Sequence, residues 1–140
     1  MQAEQYNVDE MATLVDEQRA IFNLDQVAAF DAVLEFVTNN QGHLFFIHAA
    51  GACGKTFLYN TIAAEVRRRD QIALCVASSR IAALLLDGGR TSHSCFKIPL
   101  SIHEDSVAGL KHNSYMFTVL QQTKVIVRGT LGEAPSHTAI

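Results

Sequence analysis

The stretch FFIHAAGACGKTFLYN, residues 45–60, narrows what this chain can fold into more than any other. An apolar run ends in a turn of small residues, the turn ends in Gly-Lys-Thr, and a helical pattern follows at once. A helix leaves its first N–H groups without internal partners, so a glycine turn feeding a helix N-terminus, with a lysine beside it, is a ready cradle for a polyphosphate. Residues 49–56, AAGACGKT, supply that arrangement. Gly51 and Gly54 permit positive φ and close backbone approach, Lys55 is the phosphate cation, and the Thr56 hydroxyl is the magnesium ligand. Ala50, Ala52 and Cys53 complete the loop around the phosphates. Ala49 stands where the strict G-x-x-x-x-G-K-[ST] pattern has glycine, a position that needs small size more than left-handed freedom. Cys53 reads either as a small filler or as a thiol acidified by the helix terminus.

A chain of 140 residues, 49% hydrophobic and 18% charged, has the size and make-up of one globular domain rather than a disordered segment. Its apolar runs, HLFFIHAAGA and IALCVA, are too short to span a bilayer, and no basic segment followed by an apolar one opens it. A soluble, intracellular protein without a membrane partner is the expectation. Cys53, Cys75 and Cys95 form no CxxC pair, which points away from a disulfide framework and a zinc knuckle. His43, His48, His103, His112 and His137 show no metal-ligand spacing and read as surface or strand-end residues. The net charge of −3 hides an asymmetry: residues 1–40 hold eight acids and one base, Arg19, whereas residues 41–140 hold ten bases against six acids. The basic excess lies with the phosphate loop, which suits a phosphate-rich ligand.

Periodicity fills in the frame. Residues 1–22 read as an acidic leader helix, with Val8, Met11, Leu14 and Val15 at helical spacing. NLDQVAAFDAVLEFVTNN is a stronger helix, in which Asn23 caps the first turn with Gln26 three residues on, and Val27, Phe30, Val33, Leu34 and Val37 make one apolar face. HLFFIH reads as a buried strand and KTFLYNTIAAEVRRRD as a helix whose last turn carries Arg67, Arg68 and Arg69, where cations suit the helix dipole. IALCVA is a second strand, SSRIAALLL a short helix, DGGRTSHSCFKIP a loop, residues 106–121 a helical region and KVIVR a third strand. Alternating strands and helices predict a parallel sheet covered by helices, with the site at the carboxyl ends of the strands.

With these pieces in order, residues 23–135 resemble the opening of a Pif-type (petite integration frequency) DNA helicase, in particular the Helitron-associated branch. FNLDQVAAFDAVL is similar to the adenine-reading motif of that family, which gives Gln26 the role of reading the base. ASSRIAALLLDGGRTSHSCFKIPL resembles its paired segments for gripping single-stranded DNA, and GEAP resembles the DEAP of its second ATPase motif. The resemblance implies an α/β fold, a P-loop NTPase (RecA-like) parallel sheet flanked by helices and incomplete here, with residues 23–140 as the first RecA-like domain. It implies ATP and Mg2+ as cofactors, 5′-to-3′ unwinding in repair, recombination or transposition, and a nuclear location. Ser78, Ser79, Arg80, Thr91, His93 and Ser94 would then hold DNA phosphates, contacts that position a strand without reading its sequence. Each has a plainer role too: Gln26 closes a capping box, the serines and Thr91 suit turns and caps, and Phe96 either stacks on a base or fills the core. Arg80 stands where the family often has glycine, and it either adds a phosphate contact or obstructs the backbone.

Hydrolysis asks for more than a cradle. An acid at the end of the third strand holds the magnesium shell, and a neighbouring glutamate orients the attacking water. In VIVRGTLGEAPSH the glutamate is present as Glu133, but Gly132 stands where the aspartate belongs, and about three extra residues separate strand from motif. Losing one such contact costs on the order of several kcal/mol in the transition state. No second RecA-like domain follows within the 140 residues to bring arginines across the nucleotide. The expectation is therefore a helicase motor domain impaired in hydrolysis, with a non-catalytic remnant that binds nucleotide or single-stranded DNA weakly as the alternative. A small self-contained P-loop kinase is disfavoured, because the arginine-rich lid is missing and GRTSHS is present.

Overall fold

One helix, Lys55–Arg68, is buried along most of its length and sets the positions of everything around it. The computed structural model describes residues 7–49, 54–96, 104–111, 114–129 and 136–139. In chain order the elements are α1 (Val8–Arg19), α2 (Leu24–Thr38), β1 (Phe46–Ala49), α3 (Lys55–Arg68), β2 (Ile72–Ala77), α4 (Arg80–Leu84), β3 (Arg90–Thr91), α5 (Ser92–Phe96), α6 (Tyr115–Gln122), β4 (Thr123–Gly129) and β5 (Ser136–Ala139). None of the described helices is long and apolar enough to cross a membrane.

The helix starts follow the caps in the sequence. Asn7 accepts from the Asp9 N–H at the head of α1. Asn23 and Gln26 form a reciprocal capping box on α2, each side chain accepting from the other's N–H at 2.9 and 3.0 Å. Ser79 and Ser114 cap α4 and α6 in the same way. Asn40, at φ 54°, takes the left-handed conformation that ends α2, as expected of NNQG.

Val15 of α1, Phe30, Val33 and Leu34 of α2, and Leu58, Ile62 and Val66 of α3 meet Cys75, Val125 and Val127 of the sheet in a single core. The acidic leader thus contributes to the same core as the strands. Of the apolar face expected on α2, Phe30, Val33 and Leu34 are buried, Val37 packs at the margin, and Val27 stays 37% exposed.

The parallel sheet has three strands in the order β3-β2-β4, with Ala77 level with Thr91 on one side and with Gly129 on the other. Its membership departs from the sequence expectation. Strand β1 does not hydrogen-bond into this sheet; it pairs antiparallel with β5, an element the sequence reading did not foresee. The third parallel strand is Arg90–Thr91, taken from within the expected loop. That loop tightens because Gly88 turns at φ 68° and a Cβ on Gly89 would run into the Ala83 carbonyl oxygen. The helical region expected over 106–121 begins only at Tyr115, after residues 106–111 without regular structure.

The arginine triplet also differs from expectation. Arg68 and Arg69 close on the buried Glu65, the first through two hydrogen bonds at 2.6 and 2.7 Å. Arg67 is buried instead of solvated, and its guanidinium donates to the Ala73 carbonyl at 3.3 Å and the Asp87 carbonyl at 3.0 Å. Burial presses the Glu65 carboxyl toward a higher pKa, but the hydrogen bonds and charges of Arg68 and Arg69 outweigh it and hold the group below its ordinary value. A carboxylate lowered on folding stabilises the fold above its unfolded pKa, about 4.3, and that gain is lost as pH falls through the folded value. The gap in thermal midpoint between the native chain and Glu65→Gln should therefore hold steady from pH 7 to 5 and shrink below about pH 4. A gap unchanged down to pH 3 would contradict this. In the core, Ile62→Ala should cost about 2–5 kcal/mol by denaturant titration.

Candidate functional site

Four helices, α1, α2, α4 and α6, begin with a side chain hydrogen-bonded to their first turn, and α3 does not. Its N-cap is Gly54, at φ 77° and ψ 21°, and no side chain among the described residues caps it. Lys55 and Thr56 are its first two helical residues, directly after the glycine turn. The N–H groups at that terminus thus face the loop, as an anion requires. Ala50, Gly51, Ala52 and Cys53 lie outside the described residues, as do Gly132 and Glu133.

Gln26 lies against this turn. Its amide oxygen closes the α2 capping box, and its amide nitrogen donates to the Gly54 carbonyl at 3.3 Å. Of the two roles weighed for it from sequence, the structure shows the cap, and the cap holds the side chain beside Gly54. A Cβ on Gly54 would lie 2.5 Å from the Gln26 amide nitrogen, so glycine is needed there twice, for its φ and for its lack of a side chain.

The short turn Arg69–Gln71 reverses the chain between α3 and β2, which brings the α3 N-terminus to the edge where β2, β3 and β4 end. The residues expected to grip DNA gather at that edge. Ser78, Ser79 and Arg80 follow the last residue of β2, while Thr91, His93 and Ser94 follow or end the neighbouring β3. Ser78, Arg80 and Ser94 are exposed, and Ser79, Thr91 and His93 are half-buried. Two of them also shape the backbone: the Ser79 hydroxyl accepts from the Ala82 N–H, and the Thr91 hydroxyl accepts from the Ser94 N–H. Phe96 is half-buried at the end of α5.

Two further residues tie α3 to the connection between α4 and β3, and sequence reasoning passed over both. Asn60, one turn past Lys55 on α3, donates to the Leu85 carbonyl at 3.1 Å and accepts from the Asp87 N–H at 2.9 Å. Arg67 holds the Asp87 carbonyl from farther along the same helix. For Arg67 the signal was a charged residue at a helix position turned toward the core, which must find partners to be buried.

Compared with known families, the model of the PIF1-like helicases matches residues 21–137, from just before the Asn23 cap to within β5. The span takes in Gln26, the phosphate loop and both serine-threonine segments. No curated protein matches the chain.

Gly54→Ala should lower stability by roughly 1–2 kcal/mol, because it forces a side chain into the left-handed region and against Gln26. Asn60→Ala should cost about 0.5–1.5 kcal/mol, the loss of its exposed hydrogen bonds to the Leu85 and Asp87 backbone. Denaturant midpoints unchanged from the native chain would refute either account.

Proposed function

The chain is a member of the PIF1-like helicase family, and on that premise we propose that it is the first motor domain of a 5′-to-3′ DNA helicase that couples ATP to unwinding. The family as such carries ATP-dependent helicase activity, and the direction, the Helitron-associated branch and a nuclear role in repair, recombination or transposition belong to this proposal. The observation that carries the nucleotide reading is the α3 terminus: a helix start on a left-handed glycine that no described side chain caps, followed by Lys55 and Thr56 and flanked by Gln26.

In this reading the backbone N–H groups of residues 51–56 bind the phosphate oxygens and Lys55 places its charge between the outer two. The Thr56 hydroxyl would hold Mg2+, which would supply positive charge to neutralise the phosphates. Gln26 presents its amide to the adenine edge while its cap fixes the side chain. Ser78, Ser79, Arg80, Thr91, His93 and Ser94 hold the phosphates of single-stranded DNA at the neighbouring strand ends. Glu133 orients the attacking water, and a second RecA-like domain excludes solvent from the nucleotide and supplies arginines to it.

Gly132 favours a second reading in which binding survives and hydrolysis does not, because no carboxylate stands at the place of the family's aspartate. One titration addresses both. A fluorescent ATP analogue with magnesium should bind the native chain saturably, and Lys55→Ala should abolish that binding; unchanged binding by the variant rules out the loop. Phosphate release in the same samples should stay near background with and without single-stranded DNA. DNA-stimulated release would show that hydrolysis tolerates Gly132.

A further inference from the structure

Beside the edge held to grip DNA lies a half-open cavity of about 480 Å³. Its described wall comes from two places: Arg90, Ser94 and Cys95 of β3 and α5, and residues 109–111 and 114–116. The size falls within the range of small-ligand pockets, which run from about 300 to 1,000 Å³. The floor is apolar, with the buried Cys95 sulfur 4.0 Å from the Met116 sulfur. At the rim Tyr115 is 54% exposed, although it sits in the first turn of α6 where an aromatic ring has no need of solvent. Two cations, Arg90 and Lys111, line the same cavity, and no carboxylate is among its described lining residues.

An apolar floor, an open aromatic ring and two cations form a combination suited to one nucleotide of a single strand, with the base on the ring and the phosphate between the cations. A membrane surface or an acidic peptide would use the charges but has no base to set on the Tyr115 ring. Ser94 belongs both to the cavity and to the segment held to grip DNA, so the cavity continues that path. We propose that this cavity is a nucleotide-binding pocket for single-stranded DNA, with Tyr115 stacking on a base and Lys111 binding the adjoining phosphate. The inference rests on the reading of the chain as a DNA motor domain, and it extends the DNA contact to the residues before and within α6.

The test is fluorescence anisotropy of labelled oligothymidylate with the full chain over a range of salt concentrations. Tyr115→Ala should weaken binding about tenfold, whereas Tyr115→Phe, which keeps the ring, should bind as the native chain does. Lys111→Ala should weaken binding and reduce the salt slope by about 0.7, the loss of one phosphate contact to a single strand. Lys124→Ala is the charge control: Lys124 is an exposed cation at the opposite end of β4, hydrogen-bonded to Asn40, and its loss should leave binding unchanged. Tyr115 and Lys111 are exposed, so their replacement leaves the core intact, which thermal melts of each variant will verify. Native affinity in both Tyr115→Ala and Lys111→Ala would overturn the pocket while leaving the DNA reading in place. Equal losses in Lys111→Ala and Lys124→Ala would reduce the effect to general charge and also overturn it. A native chain that binds no oligothymidylate would overturn the pocket and the DNA reading together.

Discussion

The burial of α3 is the constraint from which the rest of the structure follows. From Leu58 to Arg67 nearly every residue of this helix is inside, Thr61, Glu65 and Arg67 among them. Buried polar groups without partners are costly, so each must be met by something specific. The Thr61 hydroxyl lies 2.7 Å from the Gln18 amide oxygen of α1 and 2.8 Å from the Phe57 carbonyl. Glu65 draws in Arg68 and Arg69, Arg67 grips β2 and the segment after α4, and Asn60 pairs with that same segment's backbone. Apolar packing alone would let the helix slide or turn; these pairings fix its register. The α3 N-terminus, and with it Lys55 and Thr56, is thereby set at the sheet edge.

From that fixed helix the two halves of the candidate site acquire a common frame. The phosphate loop ends on α3, and the serine-threonine segments flank α4 and β3, whose connecting loop α3 holds through Asn60 and Arg67. These hydrogen bonds are one link between the rigid elements on which the candidate site is built. Gln26 adds a second link, since it joins the start of α2 to the last residue of the loop.

Much of this was legible in the sequence because the signals are local. Asn23 with Gln26, the glycine before Lys55, and the Gly-Gly pair before Arg90 fix backbone conformation within a few residues, and each is found where its chemistry placed it. The strands IALCVA and KVIVR were equally plain, as short apolar runs between turns. What depended on distant partners was not legible. Arg67 looked like a dipole-complementing surface cation because nothing nearby announces the Ala73 and Asp87 carbonyls that receive it. The pairing of β1 with β5 and the entry of Arg90–Thr91 into the sheet are matters of register between remote segments, which periodicity does not encode. In α4, read from sequence only as a short helix, Ile81 and Leu84 are exposed, and the small Ala82 and Ala83 pack against Ala77.

The central claim is that the start of α3 is an anion site with Gln26 beside it. Amide hydrogen exchange with and without Mg-ATP tests it most directly. The account predicts added protection in the first turn of α3, residues 55–58, and in the first turn of α2, with little change at the already buried residues from Ile62 to Val66. Exchange at residues 55–58 that is the same with and without saturating nucleotide would contradict it.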